Sequence, residues 1–144
     1  MTPLGHRPLA ILATLALAPA LLAACSAEPA EPSVPPSLGP RPSTMATVEI
    51  VEPAQGATVD GDTVHIVLDL NGATIVPETT TDIRPDQGHV HLYVNNSLVS
   101  MNYGLEQDIP VTPGTLVLKA EFVAADHFPF SPRVWSAETI FTVH

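Results

Sequence analysis

From Thr63 to Leu70 the chain reads Thr-Val-His-Ile-Val-Leu-Asp-Leu, apolar at every second position. A strand with that pattern places Val64, Ile66, Leu68 and Leu70 on one face and Thr63, His65, Val67 and Asp69 on the other. The same period of two recurs in Gly88–Val94, Ser97–Met101, Thr115–Val123 and Thr139–Val143, and weakly in Thr47–Val51. In Thr115–Val123 it sends Leu116, Leu118, Ala120 and Phe122 to the core. Ala73–Val76 reads as a short strand. Pro53-Ala54-Gln55-Gly56, Asn71-Gly72, Asn95-Asn96 and Thr112-Pro113-Gly114 are turn signals, because Gly and Asn accept the backbone angles that tight turns impose. Pro77–Gln87 reads as a polar loop, Asn102–Pro110 as irregular, and Ala124–Arg133, with its prolines, as a loop. No segment holds a 3.6-residue period. About seven short strands in roughly 100 residues predict a single all-β domain over residues 47–144, an antiparallel immunoglobulin-like β-sandwich. The Cys and Trp hallmarks of true immunoglobulin domains are missing, and a small open barrel is the alternative.

The first 46 residues break this pattern. Arg7 is the only strong cation before an apolar run from Pro8 to Ala24, the layout of an export signal. The run is short for a spanning helix and carries Pro8 and Pro19. It ends in Leu22-Ala23-Ala24-Cys25, which resembles the signal of bacterial lipoproteins. That resemblance implies a signal peptide over residues 1–24, cleavage before Cys25, and acylation of the Cys25 thiol. Two or more acyl chains anchor a protein stably where one does not. Ser26–Ala46 holds six prolines in 21 residues and no apolar period. Together with Cys25 it reads as a disordered linker, residues 25–46, with a reach of roughly 65 Å in polyproline geometry. The expected location is therefore extracytoplasmic, tethered to membrane lipid at the bacterial cell surface or envelope.

Composition narrows the partners. The net charge is −10, and −11 once the signal leaves with Arg7. An acidic surface argues against nucleic acid and anionic lipid headgroups, and is compatible with cations. Cys25 is the only cysteine, so its acylation leaves no disulfide, thiol nucleophile or cysteine metal site.

Candidate chemistry centres on histidine. Alternation puts His89, His91 and Tyr93 opposite Val90, Leu92 and Val94, so the histidines point outward or under a covering loop. Their Cα atoms lie about 6.5–7 Å apart, close enough for two imidazoles to lean onto one ion. A copper or zinc site then needs further ligands. His127 is the candidate third ligand, and Asp126 a fourth or the group that orients an imidazole. His65 faces outward on its own strand; His144 ends the sequence. Met101 suits Cu(I), but a two-residue Asn95-Asn96 loop pairs it with Val90, on the apolar side, so it is expected in the core. The plain alternative is that the histidines hydrogen-bond a covering loop. No nucleophile elbow, phosphate loop or zinc-protease helix is present, and a hydrolase built on Asp126, His127 and Ser131 is the weakest reading. Tyr93, Tyr103, Phe128, Phe130 and Trp135 offer a surface for an envelope protein or glycan, or else fill the sandwich edge.

Four stretches together resemble a family of bacterial exported domains of unknown function: Gly88–Leu92, Thr112–Leu118, Asp126–Pro132 and Ile140–Val143. The resemblance spans roughly residues 70–144. Members of that family more often carry a third histidine where this chain has Val90. It implies an envelope location and the sandwich fold, and no activity. The expected function is a non-enzymatic binding or structural module of the envelope. A copper or zinc binding protein using His89, His91 and His127 is the alternative.

Overall fold

The computed structural model describes residues 39–144. The expected signal peptide, Cys25 and the expected linker through Leu38 lie outside the described residues. Ten strands form: β1 (Thr47–Glu52), β2 (Thr58–Val59), β3 (Thr63–Asn71), β4 (Thr74–Ile75), β5 (Gln87–Val94), β6 (Ser97–Ser100), β7 (Glu106–Pro110), β8 (Gly114–Ala124), β9 (Pro129–Trp135) and β10 (Thr139–Val143). One sheet runs β1-β3-β7. The other is built on the antiparallel β5–β8 pair. β4 and β6 share the far edge of β5, and β9 and β10 share the far edge of β8, with β2 beyond β10. The two open sheets pack face to face, the sandwich expected from the alternation.

Between them lies the core. Val64, Ile66 and Leu68 of β3 meet Val90 and Leu92 of β5 and Leu116, Leu118, Ala120 and Phe122 of β8. Phe130 of β9 stacks on Phe122 with ring centroids 5.4 Å apart. Each large side chain buried this way contributes about 1.5–3 kcal/mol. Asn95 (φ 49°) and Asn96 (φ 65°) close the β5–β6 hairpin in the left-handed region, as that two-residue loop requires.

Four expectations need correction. Asn102–Pro110 is not wholly irregular: Glu106–Pro110 forms β7, with Gln107 and Ile109 buried and Glu106 and Asp108 outward. One apolar residue in five hides that alternation. Ala124–Arg133 is not all loop, because Pro129–Trp135 forms β9. Its prolines are tolerated because it is an edge strand, paired only with β8. Met101 is not in the core but 52% exposed. Val94 pairs with Ser97 and Tyr93 with Leu98 as the two-residue loop dictates, but Leu92 then pairs with Ser100. The extra residue, Val99, is a bulge one position before β6 ends, and it shifts Met101 out of the register that faces the core. The folded unit also starts before Thr47. Arg41 grips Asp126, Pro42 accepts a hydrogen bond from the Ser131 amide at 2.9 Å, and Ala46 is buried.

Candidate functional site

β5 delivers His89, His91 and Tyr93 to the outer face of the larger sheet, away from the apolar core. They do not stay in solvent. His89 is fully buried and His91 nearly so, because two loops fold across the face. The first is the β4–β5 connection, carrying Thr79 and Thr80. The second is the β8–β9 turn, Ala125–Phe128, whose His127 sits at φ 64° and donates its amide to Ala124 O at 2.8 Å.

The three imidazoles gather there. The His127 ring stacks on His89 at 4.2 Å, 16° from parallel, and lies 5.4 Å from His91 at 17°. Tyr103 meets the His89 ring edge-on at 4.8 Å. His89 Nε2 lies 3.1 Å from Ala125 O; a carbonyl only accepts, so that nitrogen carries the proton. His89 Nδ1 makes no hydrogen bond of normal geometry among the described residues, although the Val76 backbone lies near enough to the ring to oppose the fall of its pKa. Ala125 O also accepts the Thr80 amide, 3.1 Å away. His91 Nε2 lies 3.1 Å from His127 Nδ1, and His127 Nε2 lies 3.0 Å from Thr79 Oγ1. Burial pushes the His89 pKa down; the Ala125 carbonyl opposes this and His127 adds to it. Burial likewise pushes His91 down, helped by His127 and opposed by the Glu121 carboxylate. Both rings are held neutral at pH 7.

Sequence reasoning placed His89, His91 and His127 together, and the structure does so. Their lone pairs do not converge. Near-parallel stacked rings aim their nitrogens side by side, and two of the contacts are hydrogen bonds. Among the described residues no group of three or more His, Cys, Asp or Glu is arranged to hold a metal ion. Asp126 faces away from the cluster. Arg41 grips its two oxygens at 2.7 Å each and also reaches Pro129 O at 3.0 Å; the Phe128 amide donates to Asp126 at 3.1 Å. Burial works to raise the Asp126 pKa, but Arg41 and the Phe128 amide outweigh it and hold the carboxyl below its ordinary value. With its carboxylate on Arg41, Asp126 orients no imidazole. Ser131 is exposed, and its amide is bonded to Pro42. His65 belongs to the other sheet and pairs with Asp108 at 2.8 Å on an exposed face, which raises its pKa.

A second group on the same outer face escaped the sequence reading. Glu121 of β8 lies opposite His91 and is 1% exposed. Arg133 grips it with nitrogens at 2.6 and 2.7 Å, and the Tyr93 hydroxyl donates to it at 3.1 Å. Lys119 and Arg133 both lie over the Trp135 ring, 4.6 Å from its centroid. The signal was present: Lys119 and Glu121 alternate with the core residues of β8, so they share the face of His91 and Tyr93. Phe130 belongs to the core, while Tyr103 and Phe128 are largely exposed.

No model of a known protein family matches the chain, and no curated protein does. Among solved structures it is similar to the fibronectin(III)-like modules of Clostridium thermocellum CbhA, with a TM-score of 0.50 and 22% sequence identity. That match covers 68% of this chain and 46% of the other, so it spans less than half of that chain's length. The likeness is one of fold: the described domain is an all-β, immunoglobulin-like β-sandwich.

Proposed function

We propose that the protein is a lipid-anchored, extracytoplasmic module of the bacterial envelope that binds or spaces other components and performs no catalysis. The observation that carries this reading is the state of the histidine face. Four of the six imidazole nitrogens there are engaged in hydrogen bonds that tie two loops to β5 and to each other. The two carboxylates beside it are also committed, Asp126 to Arg41 and Glu121 to Arg133. The likeness to a fibronectin(III)-like module supports a rigid presented domain. The Leu22–Cys25 sequence and the proline-rich linker supply the tether to membrane lipid, and the partner is an envelope protein or glycan. Mass spectrometry of the mature N-terminus tests the anchor; an unmodified Cys25, or cleavage elsewhere, rejects it. Pull-down from envelope extracts tests the partner, and an absence of saturable binding counts against it.

One observation favours a second reading. Among the described residues His89 Nδ1 is buried with no hydrogen-bond partner, beside two further imidazoles. Rotation of the His127 ring would let His89, His91 and His127 bind copper or zinc, with Asp126 joining only after release from Arg41. Calorimetric titration of the metal-stripped chain with Cu(II) and Zn(II) decides this. Micromolar binding lost in His89→Ala/His91→Ala supports the metal site, and no binding ends it.

A further inference from the structure

We propose that Asn71 is a site of spontaneous deamidation, because the fold leaves the Gly72 amide beside it free to attack its side chain. The step is a ring closure. The Gly72 nitrogen gives its proton to hydroxide and forms a bond to Asn71 Cγ. The Cγ–Nδ2 bond breaks, and Nδ2 leaves as ammonia after taking a proton from water, which restores the hydroxide. Water then opens the succinimide at either carbonyl and leaves aspartate or isoaspartate at position 71.

Such a site needs a following residue small enough for the ring to form, and a backbone amide that nothing holds. Glycine, with no Cβ, meets the first need. Two exposed pairs among the described residues have it, Asp60-Gly61 and Asn71-Gly72; an Asp-Gly pair closes the same ring with loss of water. Only the second pair meets the other need. Gly61 N donates to His144 O at 3.2 Å, whereas Gly72 N makes no backbone hydrogen bond among the described residues. The register explains the difference. Successive residues of an inner strand bond to opposite neighbours. Leu68 N turns to the β7 side and bonds Leu105 O at 2.8 Å. Gly72, four residues on, is in phase with Leu68. The β3–β7 pairing ends at Val67 and Glu106, where β7 begins, so no strand meets Gly72 on that side.

Asn71 is exposed, and its Nδ2 donates to Asp69 Oδ2 at 2.9 Å. That contact holds the departing nitrogen and leaves Cγ open. The other asparagines are less suited. Asn95 and Asn96 are followed by Asn and Ser, whose side chains crowd the ring, and Asn95 Oδ1 accepts the Val117 amide at 3.0 Å. The Tyr103 amide, which would attack Asn102, donates instead to Asn102 Oδ1 at 2.7 Å. The product falls at a junction. Isoaspartate lengthens the main chain where Asn71 pairs with Thr47, at the start of the β1–β3 ladder. Either acid adds a carboxylate beside Asp69 and Glu49, which already face each other. The segment carrying Arg41 and Pro42 enters the sandwich at this point, with Met45 and Ala46 against Gly72.

The test ages the full chain at mildly alkaline pH, folded and in urea. Peptide mapping by mass spectrometry separates aspartate from isoaspartate. In the folded chain Asn71 should convert to both acids at least an order of magnitude faster than Asn95, Asn96 or Asn102, and within a few-fold of its own rate in urea. Asp60 should isomerise in urea and be slowed by folding at least an order of magnitude. Asn71→Gln should stop the acidic form from accumulating on ion exchange. An Asn71 that reacts in urea but stays intact in the fold, conversion spread evenly over the four asparagines, or an Asp60 that isomerises as fast folded as unfolded would overturn the proposal.

Discussion

His91 Nε2 and His127 Nδ1 face each other across 3.1 Å, with nothing between them. Such a contact needs one donor and one acceptor, so it survives while at least one of the two rings is neutral at that atom. With both rings charged, two N–H groups oppose each other and the contact breaks. His89 is stacked on the same His127 ring. The depressed pKa values of His89 and His91 set the sign of the pH effect. Above the ordinary value of 6.5 both rings are neutral folded or unfolded, and the full stability is present. As pH falls below it the unfolded chain takes up protons that the fold excludes, and stability drops. His65, raised by Asp108, contributes in the opposite direction, but on an exposed surface where the pair is screened. The thermal midpoint should therefore fall between pH 7 and pH 5, and fall less in His89→Gln/His91→Gln. A parent midpoint that rises over that range refutes the assignment of neutral histidines.

The close approach of β5 to β8 beside the cluster depends on Gly88. A Cβ there would stand 2.0 Å from Val123 O and 3.0 Å from the Phe122 ring. The obstructing atom is backbone in a central strand, and it cannot give way without disturbing the β5–β8 ladder. Gly88→Ala should cost about 3 kcal/mol or more in chemical denaturation. A loss of less than about 1 kcal/mol would mean that the strands are farther apart than described.

Glu121 and Arg133 are an unequal pair: the carboxylate is 1% exposed, while the Arg133 side chain is 51% exposed. Removing the cation leaves a buried charge with only Tyr93 to satisfy it. Arg133→Ala should destabilise by about 2 kcal/mol, below the range for fully buried pairs because water reaches the guanidinium. Replacing both residues, Glu121→Met/Arg133→Met, should cost less than Arg133→Ala alone, since no orphaned charge remains. Urea denaturation of the parent, the single variant and the double variant measures this. A double variant worse than the single would show that the pair itself, rather than the avoidance of a bare carboxylate, stabilises the face.

How much of this was legible depends on the range of the interaction. Face assignments in β3, β5 and β8 follow from the alternation of Val64, Ile66, Leu68, Val90, Leu92, Leu118 and Phe122, because burial enforces a period of two. Met101 was misplaced because one inserted residue, Val99, inverts that period, and nothing in Ser-Leu-Val-Ser-Met announces a bulge. β7 and β9 were missed because edge strands carry the charges and prolines that also mark loops. The gathering of His127 over His89 and His91 was readable as a possibility of chain order and loop position. Ring stacking and hydrogen-bond geometry were not, since they depend on the left-handed turn at His127 and on Thr79. The partner of Asp126 was hidden most deeply. Arg41 lies 85 residues away, in a stretch whose composition reads as unfolded.

That grip carries the last prediction. Arg41 binds Asp126 at the β8–β9 turn, and Pro42 O then takes the Ser131 amide at 2.9 Å along the open edge of β9. The guanidinium fork makes two parallel charged bonds, with both side chains less than one-fifth exposed. Arg41→Ala should destabilise by about 1–2 kcal/mol, more than a solvent-exposed ion pair would. It should also free the segment ahead of β1, so that the Ser131 amide exchanges with solvent faster while Phe122 and Leu118, in the middle of the sheet, keep their protection. Because Asp126 adjoins His127, the same change should loosen the turn that covers His89, with faster exchange at the His127 amide, which donates to Ala124 O. Amide exchange followed by mass spectrometry reads both sites. Unchanged protection at Ser131 would mean that the folded unit begins at β1 after all.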